Sequence, residues 1–147
     1  ESVDYDAYDI AVLGETAYSF KDVVPDGSHL VVTATDDAGN LSGTYLVVDD
    51  TTTSEVTMTG QLANALSEFN IETIDLQFAE ESALTITEAQ LVALSSHTDT
   101  LTDEGGSDDS VTILGASHVG NDGEGYNIFS LGDATLRIDE DITNVVI

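Results

Sequence analysis

Apolar and polar residues alternate over short runs along most of the chain, the two-residue period of half-buried strands. His29–Thr35 (HLVVTAT) places Leu30, Val32 and Ala34 on one face and Val31 and Thr33 on the other. Gly43–Val48 (GTYLVV) is a second β-rich run. Between them, Asp36-Asp37-Ala38-Gly39-Asn40 is a turn sequence whose Gly and Asn tolerate positive φ. The pattern therefore predicts a β-hairpin. Upstream, Tyr8–Leu13 and Ala17–Val24 are predicted strands, and Pro25-Asp26-Gly27 is a turn leading into His29.

Asp49-Asp50-Thr51-Thr52-Thr53-Ser54 interrupts the alternation and reads as a polar break, the best internal boundary. Gln61–Leu66 is either a short helix or irregular, and Ile71–Leu76 and Ala83–Ile86 read as strands. Thr87-Glu88-Ala89-Gln90 has the form of a capping box, in which the Thr hydroxyl and the Gln side chain satisfy each other's backbone N–H. With Ala89, Val92 and Ala93 at helical spacing, it predicts a short helix near 88–95. Further strands are predicted at Thr98–Leu101, Ser110–Leu114, Tyr126–Ser130, Ala134–Ile138 and Val145–Ile147, separated by acidic, Gly-rich turns. The expected fold is all-β, a β-sandwich that is Ig-like or related, with one or two short helices. The first stretch holds too few strands for an immunoglobulin sandwich of about seven. The chain is therefore divided into an Ig-like half, 1–54, and a second β half, 55–147, packed as one domain.

Charge changes the picture more than any motif. The 147 residues carry 29 Asp and Glu against Lys21 and Arg137, a formal charge of −27, yet 41% are hydrophobic. That hydrophobic share suits a folded domain and is too high for a disordered acidic tail. Self-repulsion on this scale calls for bound divalent cations or a salty medium. Nucleic acid and anionic membrane surfaces are excluded as partners, because both need Lys and Arg clusters. No apolar run approaches the ~18 residues of a membrane span, so membrane insertion is not expected. Glu1 reads as an internal cut from a longer chain. There is no Cys, which removes disulfides and thiolate chemistry and leaves calcium as the usual staple of an extracellular chain.

The acids are 18 Asp and 11 Glu, and the Asp residues gather at turns. Short carboxylates there hydrogen-bond the backbone or coordinate Ca²⁺, which takes six to eight oxygens from carboxylates, Asn side chains and carbonyls. Four candidate sets result. The first is Asp36, Asp37 and Asn40 with Asp26, Asp49 or Asp50; the second is Asp103, Asp108 and Asp109. The third is Asn121, Asp122 and Glu124, and the fourth is Asp139 with Asp141. None has the EF-hand spacing.

Catalysis finds little support. His29, His97 and His118 are scattered, and adjacent acids such as Asp108 and Asp109 point in different directions in a Gly-rich turn. There is no Trp to form a sugar platform. Gly120-x-x-Gly123-x-Gly125 has neither the Lys nor the following helix of a nucleotide loop. The chain is expected not to be an enzyme.

Asp26-Gly27-Ser28-His29-Leu30-Val31-Val32-Thr33-Ala34-Thr35-Asp36-Asp37-Ala38-Gly39-Asn40-Leu41-Ser42 resembles the closing hairpin of bacterial Ig-like repeats, and Val48-Asp49-Asp50-Thr51-Thr52 resembles the linker that follows it. Ile71-Glu72-Thr73-Ile74-Asp75-Leu76, Leu84-Thr85-Ile86-Thr87, Val92-Ala93-Leu94-Ser95, Thr100-Leu101-Thr102, Asp109-Ser110-Val111, Gly125–Phe129 and Ala134–Asp139 are similar to a pattern near the ligand-binding region of giant repeats-in-toxin adhesins. Where that pattern has a hydrophobic residue and Asp-Gly before the second Gly-rich loop, this chain has Thr102-Asp103-Glu104-Gly105. The resemblance implies a calcium-loaded, secreted, cell-surface scaffold in cell adhesion, monomeric and joined to neighbouring modules of the same adhesin. In such adhesins a ligand-binding module can project from a scaffold split in sequence, and 49–59 is the natural place for such an insertion. The alternative is a module that itself binds sugar or peptide through a Ca²⁺-anchored loop such as 121–124.

Overall fold

The computed structural model describes residues 3–10, 15–24 and 28–147. Near the start, β1 (Tyr5–Ile10) pairs antiparallel with β2 (Glu15–Phe20), setting Tyr5 opposite Phe20 and Ala7 opposite Tyr18. The two form a separate two-stranded sheet. Residues 11–13 of the first predicted strand, residue 14 and the predicted turn at 25–27 lie outside the described residues.

The predicted hairpin follows. β3 (His29–Thr35) pairs antiparallel with β4 (Leu41–Val47), from His29 opposite Val47 to Thr35 opposite Leu41. Its turn is organised by Asp36. Oδ1 accepts from the backbone N–H of Ala38 at 2.9 Å and of Asn40 at 2.8 Å, and Oδ2 accepts from the Asn40 side chain at 2.7 Å. Gly39 supplies the left-handed residue, φ +86°.

From β4 to β9 the strands alternate between two sheets. β5 (Asp49–Thr57) is followed by α1 (Gly60–Leu66), β6 (Ile71–Asp75), β7 (Ala79–Thr85) and α2 (Glu88–Leu94). Next come β8 (Thr100–Glu104), β9 (Ser110–Thr112), β10 (Ser117–Asn121), β11 (Tyr126–Leu131), β12 (Ala134–Asp139) and β13 (Asn144–Val146). One sheet has seven strands in the order β10-β11-β12-β8-β6-β4-β3; the other has four, β13-β9-β7-β5. Within them β4-β6-β8-β12 and β5-β7-β9-β13 are entirely parallel. From β4 to β9 each circuit of the chain adds one strand to each sheet, the connectivity of a solenoid, and the last circuit adds the β10–β11–β12 meander to one sheet and β13 to the other. Parallel neighbours need long crossovers, and α1 and α2 lie in two of them. Thr44, Thr73 and Thr102 occupy one rung position on successive strands, a period of about 29 residues.

The chain is thus all-β with two short helices. Antiparallel pairing, which an Ig-like sandwich would use throughout, is confined to β1–β2, β3–β4 and the β10–β11–β12 meander. The polar run 49–54 is corrected from a break to part of β5. Its Thr residues suit a strand, and it runs parallel to β7 with an irregularity between Asp49 and Thr53. Strands from both sides of residue 54 share the seven-stranded sheet.

Both helices are short amphipathic covers. Thr59 caps α1 by accepting from the Leu62 N–H at 3.2 Å, and α2 begins with the predicted capping box, Gln90 Oε1 accepting from the Thr87 N–H at 2.9 Å. Ala63, Leu66, Leu91 and Leu94 face the core. Two inward ladders run through that core: Val56, Leu84, Val111 and Val145 from one sheet, and Tyr45, Ile74, Asp103 and Ile138 from the other. The second ladder contains an acid.

Candidate functional site

Each acidic turn has a different local logic. In the β3–β4 turn, the Asp36 carboxylate is consumed by the turn itself. Its pKa is lowered, first by the Asn40 side-chain amide and then by the backbone N–H groups. Asp37 beside it is exposed. Asp26, expected to complete this set, lies outside the described residues. Asp49 and Asp50 belong to β5, and their side chains are likewise outside the description.

The turn joining β10 and β11 already holds a cation, supplied by the chain. Asp122 Oδ1 accepts from the backbone N–H of Glu124 at 2.8 Å and of Tyr126 at 3.2 Å. Its Oδ2 meets Arg137, 2.8 Å from Nη2 and 3.2 Å from Nε. Glu124 Oε2 lies 3.4 Å from the same guanidinium. Asn121 donates from its side chain to Glu140 and accepts from the Gly123 N–H at 2.6 Å. The Asp122 carboxyl is consequently lowered, with the Arg137 hydrogen bond as the largest cause. Asn121, Asp122 and Glu124, read from sequence as cation ligands, thus surround Arg137 or bond within the turn.

Arg137 also lies over the Tyr126 ring, and the Tyr126 hydroxyl donates to Glu104 Oε1 at 2.5 Å. That bond pushes the phenol up to about 12. In the fourth set, Asp139 Oδ1 accepts from the Asp141 N–H at 3.0 Å. Asp141 is exposed.

The second set is split by the fold. Asp103, read as a turn residue, is in β8, 0% exposed, and neither carboxyl oxygen has a hydrogen-bond partner among the described residues. Asp108 is exposed. Asp109 is 2% exposed and bridges the corner, its Oδ1 accepting from the Ser82 N–H at 2.8 Å and its Oδ2 from the Gly106 N–H at 2.7 Å. Burial raises the Asp109 carboxyl against these bonds. Asp75 on β6, half-buried, is raised chiefly by burial and further by Glu104 and Asp109. Among the described residues, no three His, Asp or Glu side chains are grouped so as to hold a metal ion. His118 packs edge-on against Phe129, ring centres 5.1 Å apart.

Sequence reading passed over Arg137, Tyr126, Glu104 and Ser82 as members of these corners. The signal for Asp103 was present, since it lies two residues from Leu101 on the alternating face and so falls in the apolar row. Comparison with models of known families, with curated proteins and with solved structures found no match.

Proposed function

We propose that the chain is a non-enzymatic scaffold segment of a secreted bacterial surface adhesin, stabilised by calcium, which holds and orients neighbouring modules. The observation that carries the reading is the stack of parallel coils. Its height is set by inter-strand hydrogen bonds between successive rungs, and its interior is filled by side chains, so the fold suits a spacer. The likeness of 26–42 to an Ig-like closing hairpin, and of stretches between 71 and 139 to adhesin sequence, supports the cellular setting. The finer Ig-like assignment attaches to the β3–β4 hairpin, which ends the seven-stranded sheet.

Calcium enters through charge. With −27 on the chain, cations bound to the folded form and not to the unfolded one add stability by linkage. Exposed Asp37, Asp108 and Asp141 are the predicted carboxylates with free approach. The test is thermal melting in EDTA, millimolar Ca²⁺, matched Mg²⁺ and NaCl. A rise with Ca²⁺ beyond the other salts is expected; equal rises with NaCl would replace specific binding by screening.

A further inference from the structure

We propose that Asp103 is a protonation-dependent lock on the C-terminal coils of the stack, which close fully only while its side chain is a neutral acid. The geometry is that of an apolar site occupied by a carboxyl group. Asp103 stands in register between Ile74 of β6 and Ile138 of β12, both 0% exposed like Asp103 itself. Leu101, the preceding inward residue of β8, is also 0% exposed. No donor reaches either oxygen among the described residues. An ionised carboxylate, fully buried among apolar side chains and reached by no protein donor, is the costly form in such surroundings.

The surrounding charges do not relieve it. Glu104, next on its own strand, adds a negative charge. Asp75 follows Ile74 on β6, and Arg137 and Asp139 flank Ile138 on β12, so strand alternation turns all three to the other face of the sheet. Asp109, across the β8–β9 connection, is held by the Ser82 and Gly106 amides. The chain has two basic side chains besides its histidines; Lys21 pairs with Asp4 and Asp6, and Arg137 with Asp122 and Glu124.

Burial, with Glu104 second, pushes the Asp103 carboxyl up to about 8. An unfolded Asp releases its proton near about 3.9. Between those values the folded chain holds a proton that the unfolded chain has lost. Stability from this group is therefore complete below the lower value and declines as pH rises towards the upper one. Asp75 and Asp109, also raised, act in the same direction, whereas Asp36 and Asp122, both lowered, act in the opposite one.

The experiment is a carboxyl ¹³C titration of the full chain in EDTA, alongside melting curves of the wild type, Asp103→Asn and Asp103→Val from about pH 5.5 to about 9.5. One carboxyl should titrate near 8 and be missing from Asp103→Asn. The wild-type melting midpoint should fall relative to both variants as pH rises. A titration confined to the ordinary acid range would overturn the lock, as would melting profiles that stay parallel. Millimolar Ca²⁺ that abolished the Asp103-dependent gap would also overturn it, by making the carboxylate a metal ligand. The titration needs only the folded wild type, so a variant that fails to fold does not remove the test.

Discussion

The guanidinium carbon of Arg137 lies 4.3 Å from the ring centre of Tyr126. This stack joins β12 to β11 and holds the cation against Asp122 and Glu124. Arg137→Gln removes a cation–π contact of about 0.5–1 kcal/mol and leaves the turn acids facing each other. Faster amide exchange is expected at Glu124 and Tyr126, together with a lower melting midpoint. The difference from wild type should narrow in molar NaCl, where the remaining repulsion is screened.

Gly43 sits at a register irregularity between β4 and β6. A Cβ there would lie 2.7 Å from the Phe69 carbonyl oxygen and 2.8 Å from Ile71 Cδ1. The backbone oxygen cannot step aside without disturbing the turn that leads into β6. Gly43→Ala should cost about 1–3 kcal/mol through overpacking, read as a lower urea midpoint. An unchanged midpoint would mean that the approach of the 67–70 turn to β4 is looser than these distances.

Asn70 is left-handed, φ 45°, and 3% exposed. Its side-chain NH₂ donates to the Leu41 carbonyl and to Glu72 Oε1, each at 2.9 Å. Asn70→Gly keeps the backbone conformation and loses these bonds, at a cost of about 1–3 kcal/mol. Asn70→Ala adds left-handed strain of about 1 kcal/mol. Equilibrium unfolding should rank the variants wild type, Gly, Ala; Ala equal to Gly would remove backbone strain from the account.

Asp109 accepts one buried and one half-buried backbone hydrogen bond with one carboxylate. Asp109→Ala strands the Ser82 and Gly106 amides, at about 1–3 kcal/mol for each. Asp109→Asn retains one acceptor oxygen and should recover part of the loss. Urea unfolding of the pair near neutral pH makes the comparison; an Asn variant no better than Ala would show that both oxygens act as a unit.

Local features were legible where the code is local. HLVVTAT gave both the strand and its partner because alternation and an Asp-rich turn lie within a few residues. Thr87 and Gln90 announced α2 because a capping box spans four positions. The parallel ladders were not visible in this way. Tyr45, Ile74 and Asp103 are neighbours in space only because the chain returns after each circuit, and that return is encoded as a long repeat with few identical residues. The 49–54 run was misread because Thr carries little hydrophobic signal although its branched side chain suits a strand. At the turns, composition identified acids rich in possible partners, but it did not reveal that Arg137 would reach Asp122 or that Asp103 would face inward. The first depends on β12 folding back beside β11, and the second on the alternation of β8 running on past Leu101.

The regular return of Thr44, Thr73 and Thr102 to one rung position has an evolutionary consequence. Reach in such a fold changes in whole steps. An in-phase gene duplication of one circuit would insert a rung about 4.8 Å high between existing rungs. The new strands would meet the same kinds of neighbours that the old ones met. An out-of-phase insertion would turn an inward row towards water. Selection for a longer or shorter molecule can therefore act by counting circuits, leaving the chemistry of each corner to drift independently.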